Sequence, residues 1–291
     1  MENIMREHRS AVFSTGHQFL EGLRWHHGKL WASDFFSKTV KTFNADGSYT
    51  DVAEVEGSPS GLGFLDDGSV LVVSQMDRTV VRIEPDGTQS VHADFSQYAG
   101  GIGNDMIVTG KGDAYVGNFG FALGEEDPKT TRLVHVSADG SVNPVGGEVL
   151  FPNGMAITPD RVLLTAQTWR HCITAFDIQE DGSLVNERIW AQLDDSVHPD
   201  GIALDADGGV WFGNALTLES DSGFYRVVEG GEITDRVAID GAWSVTCAFG
   251  GDDLRTLYMA CNVTTLEEFH DGKSTSVVAT ANVGYKGSPA M

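Results

Sequence analysis

The stretch HPDGIALDADGGVWFGN, residues 198–214, holds two short strand patterns joined by a turn, and it is one of six of its kind along the chain. Its second pattern, GGVWFGN from Gly208, has counterparts in GKLWASD from Gly28, GSVLVVS from Gly68, GDAYVGN from Gly112, DRVLLTA from Asp160 and RTLYMA from Arg255. The distance from one starting point to the next stays between 40 and 48 residues. These runs lack the 3.6-residue apolar period that a helical solenoid needs. A repeat of about 45 residues with strand patterning predicts one small sheet copied around an axis.

Each copy carries a turn signal, at Asp46-Gly47, Asp86-Gly87, Asp139-Gly140, Asp181-Gly182, Glu229-Gly230 and Asp271-Gly272. Read as hairpins that close each unit, they predict an all-β fold. The expected architecture is a six-bladed β-propeller with four-stranded blades around a central metal-binding channel, residues 1–291 forming a single domain. Closing such a ring requires one blade to mix strands from both chain ends, and AVFSTG (11–16) and TSVVATANV (275–283) are the candidates. The last seven residues, YKGSPAM, read as a short frayed tail.

Composition narrows the function. With 19 basic against 42 acidic residues the formal net charge is -23, which repels nucleic acid and anionic lipid and attracts cations. Cys172, Cys247 and Cys261 form neither a disulfide framework nor a CxxC pair, which suits a reducing compartment. The start, MENIMREHRSAVF, lacks the apolar core of a signal peptide, and no apolar run reaches the ~20 residues of a membrane helix. A cytoplasmic protein acting on a small molecule is expected, with neither nucleic-acid nor membrane partners.

Seven or eight residues before the second-strand turns stand Glu21, Asn104, Asn153 and Asp200, in blades 1, 3, 4 and 5. Blades 2 and 6 offer Ser60 or Gly61 and Val245 or Thr246 there. Alone, Asp200-Gly201 and Asn153-Gly154 read as turns and Glu21 as an exposed charge. Their shared register brings four oxygen donors to one end of the channel. Two carboxylates and two amides without His or Cys suit a hard dication, calcium ahead of magnesium, manganese or zinc. Four protein oxygens against the ~6–8 that calcium accepts leave positions open for water or substrate.

The segments FLEGLRWHHGKLWASDF, SPSGLGFLDDGSVLVVS, GNDMIVTGKGDAYVGNFGF, FPNGMAITPD, LTAQTWRHCITAFDI and HPDGIALDADGGVWFGN resemble the senescence-marker-protein, gluconolactonase and luciferin-regenerating enzyme family of six-bladed propellers. The resemblance implies a divalent metal, commonly calcium, held by Glu21, Asn153 and Asp200, with Asn104 as a ligand or substrate contact and Asp200 as the proton-transferring group. Sugar-lactonase members often carry an arginine where this chain has Ile102, so a less polar substrate is expected. Ala203 stands where relatives with a second, structural calcium carry an aspartate, so one metal is expected.

The implied reaction is hydrolysis of a lactone or related cyclic ester, with the metal polarising the carbonyl and Asp200 as general base. The same site could serve another hydrolysis of phosphotriester type or a lyase step, or hold a structural ion in a regulatory propeller. Substrate contacts are expected from Asn104, Ile102, Asn118, Phe121, Trp169 and Arg170, with Phe119 and Trp243 near the channel mouth or in inter-blade packing. His26 and His27, adjacent in a strand pattern, should face opposite ways, while His198 shares the face of Asp200. No HExxH, GxSxG or phosphate-loop motif is present.

Overall fold

The structure, a computed structural model, describes residues 5–288. Alternating apolar strands separated by glycine turns build six four-stranded antiparallel sheets. Their inner strands are Leu20–His26, Pro59–Phe64, Gly103–Val108, Pro152–Ile157, Pro199–Leu204 and Trp243–Gly250. Each packs against the next, and the sixth returns to the first, so the sheets close into a six-bladed propeller. The six second strands coincide with the six sequence anchors.

Blades have two apolar faces, and the core is accordingly six inter-blade layers. Trp211, Phe224 and Val237 of blade 5 meet Phe249, Leu257 and Met259 of blade 6. Leu71, Val73 and Phe95 of blade 2 meet Met106, Val116 and Val134 of blade 3 in the same way. Trp211 is wholly buried; truncating such a side chain to Ala costs about 3–5 kcal/mol.

Closure joins the chain ends as expected. Ala11–His17 pairs antiparallel with Thr275–Asn282 and supplies the fourth strand of blade 6. This arrangement corrects the reading of Asp271-Gly272. With its fourth strand coming from the N-terminus, blade 6 has no hairpin after its third strand. Asp271 instead ends a short helix, α1 (Leu266–His270), between the second and third strands. Thr265 and Glu268 form a reciprocal capping box at the start of α1.

The terminal segment is not frayed over its described part. Tyr285 Oη donates to Asp235 at 3.1 Å, its ring lies 4.0 Å from the Arg226 guanidinium, and Ser288 N–H donates to the Leu204 carbonyl. Residues 289–291 lie outside the described residues. On the other edge of blade 5, Arg6–His8 adds a parallel fifth strand beside Ile233–Ala238. Both chain ends therefore brace the ring. A chain beginning at Gln18 is expected to lose on the order of 10 °C or more in thermal midpoint. An unchanged midpoint by calorimetry would contradict closure by the N-terminal strand. Among the described residues, no helix is long and apolar enough to cross a membrane.

Candidate active site

Every inner strand carries a break in pairing register at the same height. The shift falls between Glu21 and Arg24, Pro59 and Leu62, Gly103 and Met106, Pro152 and Met155, Pro199 and Ile202, and Ser244 and Thr246. A bulge re-aims a side chain; Asn104, Asn153 and Asp200 stand in the bulges, and Glu21, still paired with Ser33, is the last paired residue before the break in blade 1. Glycine follows this position in four blades. A Cβ at Gly61 would stand 2.2 Å from the Met106 nitrogen, and one at Gly154 would stand 2.4 Å from the Ile202 nitrogen. These glycines let neighbouring inner strands approach closely, and Glu21, Asp105 and Asp200 lie near enough to feel one another's charge.

Asn104 is held by the adjacent blade, and Asn153 by a hydroxyl of its own blade that in turn reaches the next. Asn104 Nδ2 donates to the Pro152 carbonyl at 2.9 Å. Asn153 Nδ2 donates to Thr168 Oγ1 at 3.2 Å, and that hydroxyl donates to the Pro199 carbonyl at 2.9 Å. These bonds engage the amide nitrogens and leave the carbonyl oxygens out of them. Asp200 Oδ1, Ser60 Oγ and Thr246 Oγ1 are buried without hydrogen-bond partners. Orphaned buried oxygens are rare in native interiors and need a partner.

The electrostatics agree with a cation site. Burial, then the charge of Asp105, pushes Glu21 up to about 8, against smaller opposing effects of the Gly22 N–H and Arg24. Asp200 is raised well above the ordinary carboxylate range by burial, then by Glu21 and Asp105, with the Asn153 amide and Gly201 N–H opposing. Crowded carboxylates in an oxygen-only chamber favour a bound dication. Among the described residues, no group of three or more His, Cys, Asp or Glu forms a metal-binding cluster. Two carboxylates with amides and hydroxyls, and no His or Cys among them, would suit calcium-like ions better than zinc.

Above these oxygens lies an aromatic roof. Ile102, Phe119, Phe121, Phe151 and Trp169 pack together on one side. Phe19, Trp243 and Phe269 of α1 pack on the other. A Cβ on Gly124 in blade 3 would come 2.5 Å from His270 Nε2 in blade 6, so segments from opposite blades touch across the axis. Trp169 Nε1 and His198 Nδ1 have no hydrogen-bond partner, and the two rings stand 5.5 Å apart at 82°.

Several expected contacts are redirected. Asn118 accepts from the Gly100 and Gly120 N–H groups and from Thr131 Oγ1, and donates to the Arg132 carbonyl. Asp34, Gln167 and Asn214 fasten the segments entering their own blades' inner strands from the same position, and Asn262 accepts from Leu20 N–H of the next blade. Asn118 thus acts as a structural clamp, with its amide oxygen and nitrogen both engaged. Arg170 Nη1 donates to the Glu148 carbonyl at 3.3 Å in an exposed contact. His26 and His27 do not face apart: His27 has φ 47° and opens the turn, which sets the two rings 4.0 Å from each other. Asp105 and Arg24, joined at 2.7 Å, are site residues that the sequence reading missed.

A cavity of about 710 Å³ opens at the opposite end of the channel, lined by Arg24, Trp25, His26, Phe64 and Ile202 among others. It lies beyond the bulges, and Glu21, Asn104, Asn153 and Asp200 are not among its lining residues. The chemistry described above belongs to the roofed end.

The family description SMP-30/Gluconolactonase/LRE-like region matches residues 19–262. A 6-deoxy-6-sulfogluconolactonase of Pseudomonas putida is 30% identical over 132 residues, which is 44% of this chain and 44% of that relative. Pentonolactonase XacC of Haloferax volcanii is 26% identical over 258 residues, covering 86% of this chain and 84% of that one. A solved luciferin-regenerating enzyme superimposes with TM-score 0.80 at 19% identity, covering 97% of this chain and 98% of its own. Lactonases among the relatives support a hydrolase. With the family description matching from the first inner strand into blade 6, the chain belongs to the SMP-30/gluconolactonase/LRE-like family.

Proposed function

We propose that this protein is a divalent-cation-dependent hydrolase, a carboxylic ester hydrolase of lactonase type, acting as a single domain on a lactone or related cyclic ester. The observation that carries the reading is the orphaned Asp200 Oδ1, buried beside Glu21 and beside two asparagines whose amide nitrogens are already bound. Glu21, Asn104, Asn153 and Asp200 would hold the ion, with calcium favoured by the hard donors. When bound, the dication supplies charge that polarises the ester carbonyl and neutralises the two acids.

The chain's own residues supply the rest. Asp200 takes a proton from the attacking water on its carboxylate and returns it to the ring oxygen as the carbon–oxygen bond breaks. The roof limits bulk water over the reacting bond. Ile102, Phe121 and Trp169 give the substrate an apolar wall, and the unpartnered Trp169 Nε1 is a donor for a substrate oxygen. Three buried free cysteines fit a reducing, cytoplasmic setting.

This wall predicts substrate preference. On a panel of sugar, aliphatic and aromatic lactones, kcat/KM is expected to be at least about tenfold higher for the less polar rings. Replacing Ile102 by Arg should narrow that difference. A wild-type preference for sugar lactones, or turnover of none of the panel, would overturn the substrate assignment.

A further inference from the structure

Arg24 occupies an unusual place. It follows Glu21 by three residues on the inner strand of blade 1, yet its guanidinium ends on blade 3. Nη2 donates to Asp105 Oδ1 and to the Met106 carbonyl, each at 2.7 Å, and Nη1 donates to the Leu23 carbonyl at 2.9 Å. Blade 2 stands between, and its Gly61 presents no side chain at this height; a Cβ there would be 2.2 Å from the Met106 nitrogen. The arm therefore crosses the channel, and Arg24 also lines the lower cavity.

Asp105 is the reason the crossing matters. It holds, in blade 3, the place taken by Gly22, Gly61, Gly154 and Gly201 elsewhere, and it puts a third acid next to Glu21 and Asp200. Its Oδ1 is engaged by Arg24 and by the Met106 N–H at 2.8 Å. Three carboxylates and one guanidinium carry two net negative charges, which one dication neutralises. We infer that Arg24 is a positioning residue of the cation site: it turns Asp105 away from the ion, keeps a coordination position open for substrate, and matches the chamber's charge to a single dication. This rests on the reading that the four oxygens hold a divalent cation.

Calorimetric titration of the chelator-stripped full chain with calcium tests it, with thermal melts as a check of folding. Arg24→Met removes a repelling charge and frees a carboxylate, so binding is expected to tighten at least about tenfold while kcat falls. Asp105→Asn is expected to weaken binding about tenfold, and the double variant, with the original net charge, to return within about threefold of wild type. A merely structural arginine would loosen binding when removed. Arg24→Gln retains hydrogen bonding without charge; it is expected to tighten binding by a smaller factor and serves if Arg24→Met does not fold. Equal or weaker binding in the Arg24 variants, or a double variant that stays displaced, would overturn the inference alone. A wild type that binds no divalent cation would overturn the metal reading and the inference with it.

Discussion

Asp200→Asn is expected to lower lactone turnover by about 10³-fold and leave a folded propeller. The substitution preserves shape, and it removes a buried carboxylate that Glu21 and Asp105 both oppose. Without calcium, the variant's thermal midpoint should therefore equal or exceed that of the wild type. Two instruments check this: initial rates for turnover and calorimetry for stability. A propeller that merely holds a structural ion has no turnover to lose, so the rate measurement separates the two readings.

The second large effect couples protons to the cation. In the absence of calcium, Glu21 is pushed up to about 8 from its ordinary 4.5, and Asp200 well above its ordinary 3.8. In the unfolded chain both release their protons near the ordinary values. From there up to about 8, the folded state holds more protons than the unfolded state, so stability falls as pH rises. Chelated protein should accordingly lose on the order of 5 °C in thermal midpoint between pH 5 and pH 8. Saturating calcium should abolish that slope, since the ion takes the place of the protons. Binding near pH 7 should release protons, read as a dependence of the calorimetric heat on buffer ionisation enthalpy. A chelated protein whose midpoint is flat or rises over this range would contradict the crowding of Glu21, Asp105 and Asp200.

The blades were legible because their signals are local: a turn glycine, an alternating apolar run and a spacing that repeats. The shared sequence position of Glu21, Asn104, Asn153 and Asp200 is a signal of the same local kind, and the structure sets three of them in bulges and Glu21 at the edge of one. Arg24 and Asp105 were not. They lie 81 residues apart, and only closure of the ring brings blade 3 within reach of a side chain on blade 1. Asp105 left one trace, a charged residue at a position where four other blades have glycine.

Asn118 shows the opposite difficulty. A buried amide at the top of a second strand is chemically equal to a substrate contact until its partners are seen, and they are the N–H groups of Gly100 and Gly120. The closing role of Ala11–His17 was anticipated, but its consequence for Asp271-Gly272 was not, because a turn signal does not say which strands it joins. The capping pattern Thr265 to Glu268 was available as a sign of α1. The contact between Gly124 and His270 over the axis carried no local signal.

The account turns on whether the four convergent oxygens hold a cation that hydrolysis requires. The most direct measurement is proton release at constant pH on a lactone panel, with protein stripped by chelator and then given calcium. Release that vanishes on stripping, returns on calcium addition and is absent in Asp200→Asn is the predicted result. Release that continues undiminished in stripped protein, or in Asp200→Asn with calcium present, would contradict it.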